Sequence, residues 1–163
     1  MFEAIDACPM PVVCWVHGFA LGGGSGLTAS ADIAIAHPDA TFGFTEVRLG
    51  IVPAVISVFV VPKIGAAARR YFVTGERFDA GVALRIGLVS EISESAEAVE
   101  EVVASILAGG PEAVKVAKSL VRERPSGIET AHIAARRRAS EEGQDGLRAF
   151  LERRAPGWTQ DTD

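Results

Sequence analysis

Val16-His17-Gly18-Phe19-Ala20-Leu21-Gly22-Gly23-Gly24-Ser25-Gly26-Leu27 is the stretch on which the reading of this chain turns. An apolar strand runs into glycines so dense that main-chain N–H groups are left uncovered by side chains. Such groups can stabilise an oxygen that gains negative charge during a reaction. Gly22, Gly23 and Gly24 are therefore candidate anion donors. If the glycines open a short helix, its positive end adds to the same place. The carboxylate of Glu46 follows twenty residues after Gly26. It is flanked by Phe44 and Val47 and is the candidate group for moving a proton.

Two rival readings of the glycines are weaker. Gly24-Ser25-Gly26-Leu27-Thr28-Ala29 fits a dinucleotide-binding fingerprint, with Glu46 as the acid that would follow it. That fold needs a full helix after the glycines, whereas Asp32-Ile33-Ala34-Ile35-Ala36 reads as strand almost at once, so the connection is expected to be β-turn-β and not a crossover. A phosphate-binding loop fails because Gly24 stands where lysine is required.

Further blocks stand in order along the chain. They are Pro11-Val12-Val13, Asp32 to Ala36, Phe42-Gly43-Phe44-Thr45-Glu46-Val47-Arg48-Leu49-Gly50-Ile51-Val52-Pro53, and Leu84-Arg85-Ile86-Gly87-Leu88-Val89, with Glu141, Gly146, Phe150 and Leu151 near the end. With the Ala20 to Gly24 run, these resemble the crotonase, or enoyl-CoA hydratase/isomerase, family over essentially the whole chain. The resemblance implies an α/β crotonase-like (ClpP/crotonase) ββα spiral with a C-terminal helical region. It aligns this chain with the C-terminal part of such enzymes, the N-terminal third being absent. The expected division is a partial spiral core over 1–108 and a helical oligomerisation and site-closing region over 109–163.

What the resemblance implies for the site follows residue by residue. Gly23 is the expected oxyanion donor and Glu46 the acid/base. Leu21, Gly22, Gly24, Gly26, Pro53, Val55 and Ile56 are expected to contact an acyl-CoA thioester, with coenzyme A entering as part of the substrate and no separate cofactor. Gly26 stands where many hydratases of the family carry a first glutamate. Hydration is easiest with two carboxylates, whereas moving a double bond needs one base. Val52-Pro53-Ala54-Val55-Ile56-Ser57 replaces a glycine-rich stretch and resembles hydratases of branched glutaconyl-type thioesters, so the two reactions stay open. The opposing reading is a catalytically silent homologue that binds acyl-CoA or serves as an oligomeric interaction module. The resemblance also implies a homo-oligomer, a trimer or a dimer of trimers.

Composition sets the outer bounds. The chain has 163 residues, 48% of them hydrophobic, and a formal charge of −5, which suits a cytoplasmic globular protein. No basic patch advertises nucleic acid. Arg136-Arg137-Arg138 is followed by Glu141 and Glu142 and reads first as a solvated helix face, with an adenosine phosphate as its alternative. Cys8 and Cys14 lack paired ligand spacing, so neither a disulfide framework nor a metal site is indicated. Ile51 to Val61 is apolar but too short to span a bilayer and reads as core or pocket wall. His17, His37 and His132 have no triad context, and Ser25 lacks the nucleophile-elbow pattern.

The remaining pattern predicts strands at Pro11 to His17, Asp32 to Ala36 and Leu88-Val89. Helices are predicted at Ala66 to Thr74, from Asp79 to Ile86, from Ser93 or Ser95 to Leu107, from Pro111, and over Ile128–Arg138 and Ser140–Arg154. Leu147, Phe150 and Leu151 form the last helix's apolar stripe. The tail after Pro156, apart from Trp158, is polar and expected to fray.

Overall fold

The structure, a computed structural model, describes residues 1–159. It divides into two compact units, one of Met1–Cys8 with Val12–Val102 and one of Pro9–Pro11 with the described residues from Val103 onward. The break falls six residues before the boundary expected at 108.

The first unit is built on two small sheets. Strand β1 (Val13–Val16) leads to β2 (Phe19–Leu21), then helix α2 (Gly23–Ser30), β3 (Ile33–Ala36) and β4 (Thr41–Gly43); the short helix α1 (Phe2–Asp6) precedes them. One sheet has the order β1-β3-β6, with β6 at Glu91–Ile92, and the other the order β2-β4-β5, with β5 at Arg77–Asp79. Strands β1 and β3 are parallel neighbours, Cys14 opposite Ala34. This corrects the β-turn-β expectation. The linking segment holds a strand of the other sheet and an eight-residue helix, which together are long enough to bring the chain back in the same direction.

The rest of this unit is mostly helical. Helix α3 spans Ala54–Ile64, α4 spans Ala68–Thr74 after a 3-10 turn, and α5 spans Ala80–Arg85. The cap predicted at Asp79 is present: its carboxylate accepts from the Val82 N–H at 2.7 Å. The strand predicted at Leu88-Val89 is displaced to Glu91–Ile92. Leu88 and Val89 are buried in the core, their N–H groups bonded to the Ala83 carbonyl at the end of α5.

An aromatic cluster fixes the second sheet. Phe42 and Phe44 are fully buried, Phe44 meets Phe72 at 4.9 Å between ring centroids, and Tyr71 meets Phe78 at 4.4 Å. Burying each such ring contributes about 2–3 kcal/mol. The segment that follows β4 is thereby held by α4 and β5. Helix α3 is apolar on nearly every side, so its sequence shows no face. Ile56, Val60 and Ile64 point into the core while Val55, Val58 and Val61 are exposed.

Helix α6 (Glu97–Leu107) carries residues of both units, and its start is tied by the Ser95 hydroxyl, which accepts from the Glu97 N–H. The second unit holds α7 (Pro111–Glu123), α8 (Ile128–Ala139) and α9 (Glu141–Glu152). These starts match the sequence reading: Pro111 opens α7 after Gly110, and the Ser140 hydroxyl caps α9 by accepting from Gly143 N–H at 3.1 Å. The Glu142 carboxylate accepts from the Glu112 and Ala113 N–H groups, each at 2.9 Å, and from Arg137. It acts as an N-cap for α7 supplied by another helix. The tail is anchored as far as Thr159. Trp158 covers Gly146, and its Nε1 donates to the Ala108 carbonyl at 3.1 Å. The remainder of the predicted frayed tail lies outside the described residues. On α9, Leu147, Phe150 and Leu151 are exposed, Phe150 at 81%.

Candidate active site

The site is assembled where β2 ends. Gly22 N–H donates to the Gly43 carbonyl at 2.8 Å, as the ladder of β2 and β4 requires, and the chain then turns at φ +52°, ψ −114°. That conformation suits glycine alone. Helix α2 starts immediately afterwards. Among the described residues, the N–H groups of Gly23 and Gly24 meet no acceptor, as expected in a first helical turn, and Gly23 is exposed. Two donors without an acceptor and a positive helix end therefore lie together in one short segment.

Ser25 locks that segment in place. Its side chain is fully buried, its Oγ donates to the Ala20 carbonyl at 2.6 Å, and Gly43 N–H donates to it at 3.2 Å. The serine is a structural pin between α2 and the two strands. Its hydroxyl is occupied and closed off from any nucleophilic use.

Glu46 arrives from the parallel strand. After β4 the chain enters a 3-10 turn, Thr45–Leu49, which ends at Gly50 with φ +75°. The Glu46 carboxylate lies directly against Gly22: a Cβ added there would sit 3.2 Å from Oε1 and 3.5 Å from the carboxylate carbon. Glu46 Oε2 is buried and has no hydrogen-bond partner. A carboxylate that rests beside a helix start, with one oxygen left without a hydrogen-bond partner, is of the kind that can exchange a proton.

The other residues singled out by sequence fall in four different places. Leu21 packs over Gly43, whose added Cβ would be 3.3 Å from Leu21 Cδ2. Gly26 is buried under Ile56 and Phe2, and Ile56 itself is 4% exposed. Pro53 lines a cavity of about 460 Å³ with Val47, Val52, Ala54, Phe72 and Val73, Ser57 being the one hydroxyl-bearing wall residue. Val55 is exposed and is not among the lining residues. The cavity wall includes Val47, the residue after Glu46. Its apolar character suits a hydrocarbon group and offers no partner for a charged one.

Sequence reasoning missed Phe72 and Val73, because nothing local connects α4 to the Pro53 turn. It also passed over Lys63, whose Nζ donates to the Ala31 carbonyl at 2.5 Å and so ties α3 to the end of α2. Burial lowers the Lys63 amine from its ordinary value, and burial likewise pushes the neighbouring Cys14 thiol up. Among the described residues no three His, Cys, Asp or Glu side chains converge as a metal site, and no helix is long and apolar enough to cross a membrane.

Comparison with known proteins converges on one family. The enoyl-CoA hydratase/isomerase family profile matches residues 1–161. A short-chain-enoyl-CoA hydratase of Clostridium acetobutylicum is 34% identical over 94% of this chain and 63% of its own length. A crotonyl-CoA hydratase of Syntrophomonas wolfei is 34% identical over 94% of this chain and 64% of its own. Among solved structures, an enoyl-CoA hydratase from Shewanella pealeana superposes with a TM-score of 0.91 at 38% identity, covering 96% of this chain and 63% of that one. Pseudomonas aeruginosa AtuE gives 0.90 at 39% identity, covering 98% and 66%. The chain thus spans a little under two thirds of the length of the relatives it matches.

Proposed function

Because this chain belongs to the enoyl-CoA hydratase/isomerase family, we propose that it acts on an unsaturated acyl-CoA thioester through an enolate, with Gly23 as oxyanion donor and Glu46 as the proton-transfer group. The observation that carries this reading is the contact between the Glu46 carboxylate and Gly22, one residue before the unpaired N–H groups of Gly23 and Gly24. A thioester carbonyl held by those donors would place its C2 carbon beside the carboxylate.

The chemistry follows from charge. Removing a C2 proton sends the electron pair into the carbonyl, and the oxygen becomes an enolate. An N–H 2.7–3.1 Å from that oxygen stabilises it; losing one such donor typically costs about 3–4 kcal/mol of barrier. The Glu46 carboxylate accepts the proton, becoming neutral, and returns it to the same molecule. In a 3-enoyl thioester the pair spreads to C4, and protonation there yields the 2-enoyl isomer with no net change of atoms. In hydration, water adds at C3 and the proton arrives at C2. Pro53, Val47 and Val73 form the wall for the apolar part of the acyl group. Coenzyme A enters and leaves as part of the substrate, and no other cofactor is required by these steps.

The test is turnover of a panel of 2-enoyl and 3-enoyl thioesters, with the position of the product double bond read by NMR and Glu46→Gln run alongside. The proposal expects turnover that the substitution removes. Well-folded protein with no turnover and no thioester binding leaves the silent homologue, an interaction module, as the account.

A further inference from the structure

We infer that Gly75, at the corner between α4 and β5, is a positioning residue for Glu46: it fixes the place of the turn that carries the carboxylate, and with it the carboxylate's rest against Gly22. The inference takes from the proposed function what Glu46 does, and from packing where Glu46 stands. The 3-10 turn Thr45–Leu49 does not hold itself in place. None of its five residues is buried, and the bonds that close it are local: Gly50 N–H donates to the Val47 carbonyl and Ile51 N–H to the Glu46 carbonyl, each at 3.2 Å. Such bonds shape a short turn and leave its position to whatever packs against it.

The corner Thr74-Gly75-Glu76 packs against it. A Cβ on Gly75 would lie 3.0 Å from Val47 Cγ2, 3.1 Å from Arg48 Cγ and 3.2 Å from Arg48 Nε, so the two side chains that follow Glu46 rest on a bare Cα. The same corner reaches the chain before Glu46. The Glu76 carbonyl oxygen is 3.4 Å from where a Cβ on Gly43 would stand, and Gly43 lies opposite Arg77 in the pair of β4 with β5. Glu46 is thus bracketed, three residues past one contact and directly before the other.

The corner is the better-held partner. Gly75 ends α4 in the left-handed conformation, φ +58° and ψ +20°, and its N–H donates to the Tyr71 carbonyl at 3.1 Å. The Thr74 hydroxyl donates to the Arg70 carbonyl at 2.9 Å and accepts from the Glu76 N–H at 3.2 Å, while the Arg70 guanidinium clasps the Glu76 carboxylate. Tyr71 and Phe72 anchor the helix on Phe78 and Phe44. A side chain on Gly75 would therefore push the turn, and Glu46 would move with it. Gly75 meets two separate demands, a left-handed backbone and a close approach. Gly18 meets only the first: its φ is +63° and a Cβ there has nothing within 4 Å.

The experiment reads three quantities: exchange of the C2 hydrogen of a saturated acyl-CoA in deuterated water, binding of that thioester, and thermal melting. Gly75→Ala and Gly18→Ala should both melt below wild type, since each forces an L side chain to positive φ. Only Gly75→Ala should slow the exchange, by roughly tenfold with binding retained, a full 1 Å misplacement costing about 10²-fold. The decisive comparison places Gly75→Ala in Val47→Ala/Arg48→Ala protein, where all three contacting atoms are gone. There it should still lower the melting temperature and leave the exchange rate of that background unchanged. Exchange at the wild-type rate in Gly75→Ala, or an equal loss in the truncated background, overturns the inference. Where Gly75→Ala does not fold, Gly75→Asn repeats the comparison, asparagine being more at ease in the left-handed region. Wild type that exchanges no C2 hydrogen overturns the proposed function. Positioning is then decided by the carbon-13 resonance of the Glu46 carboxyl, which must move on adding Gly75→Ala to wild type and stay on adding it to the truncated background; a resonance unmoved in both overturns the inference.

Discussion

Replacing Gly22 by alanine separates the cost of a turn from the cost of disturbing Glu46. The backbone at Gly22 has φ +52° and ψ −114°, which an L side chain tolerates at a cost of about 1–3 kcal/mol. Gly65 provides a matched control. It has φ +53° and ψ −127°, and a Cβ there meets nothing within 4 Å. At Gly22 the same Cβ lies 3.2 Å from Glu46 Oε1, so the carboxylate must move by a few tenths of an ångström. Both variants should lose about 2 kcal/mol, seen as roughly 4–8 °C in Tm for a chain of this size. Only Gly22→Ala should lose turnover. A full 1 Å misplacement can cost about 10²-fold, so this smaller shift is expected to cost roughly tenfold in kcat. The assay pairs thermal melts with steady-state turnover of an enoyl thioester for both variants. Equal turnover in the two proteins, at equal loss of stability, would refute the claimed contact between Gly22 and the carboxylate.

Three other predictions follow from particular bonds. Ser25→Ala leaves the Gly43 N–H without its hydroxyl partner in a fully buried place and should cost about 1–3 kcal/mol in urea unfolding; an unchanged midpoint would show that Ser25 does not pin α2. Glu142→Ala uncaps α7 and should destabilise by about 1–2 kcal/mol, with faster amide exchange at Glu112 and Ala113 as the local signature; unchanged exchange there would contradict the cap. Burial holds the Cys14 thiol above its ordinary value, so in Cys8→Ser protein its alkylation should be slow at pH 8 and keep accelerating past pH 9 as the thiolate forms; a rate already level at pH 8 would contradict the assigned burial.

The elements with local signals were legible in the sequence. Asp79, Pro111 and Ser140 mark helix starts through chemistry carried by the residue itself, and each stands where the structure begins a helix. The glycine run was readable as a strand entering a helix, with Glu46 as its companion acid. The three-residue strands β2 and β5 were not, since three residues hold too little alternation to show a face. The parallel pairing of β1 with β3 was misjudged because β2, within the connection, belongs to another sheet. Helix α3 shows no period in sequence, its exposed Val55, Val58 and Val61 being as apolar as its buried residues. The approach of Ile56 to Gly26 is invisible for a further reason: it joins residues thirty apart, and a glycine gives no sign of what fills the space beside it.

The central claim is that Glu46 moves the substrate proton. Its most direct test is exchange of the C2 hydrogen of a saturated acyl-CoA in deuterated water, followed by NMR, for wild type and Glu46→Gln. The account predicts deuterium entering C2 with wild type and a loss of roughly 10²-fold or more in the variant, with thioester binding retained. Exchange that continues undiminished in a folded Glu46→Gln protein would contradict it.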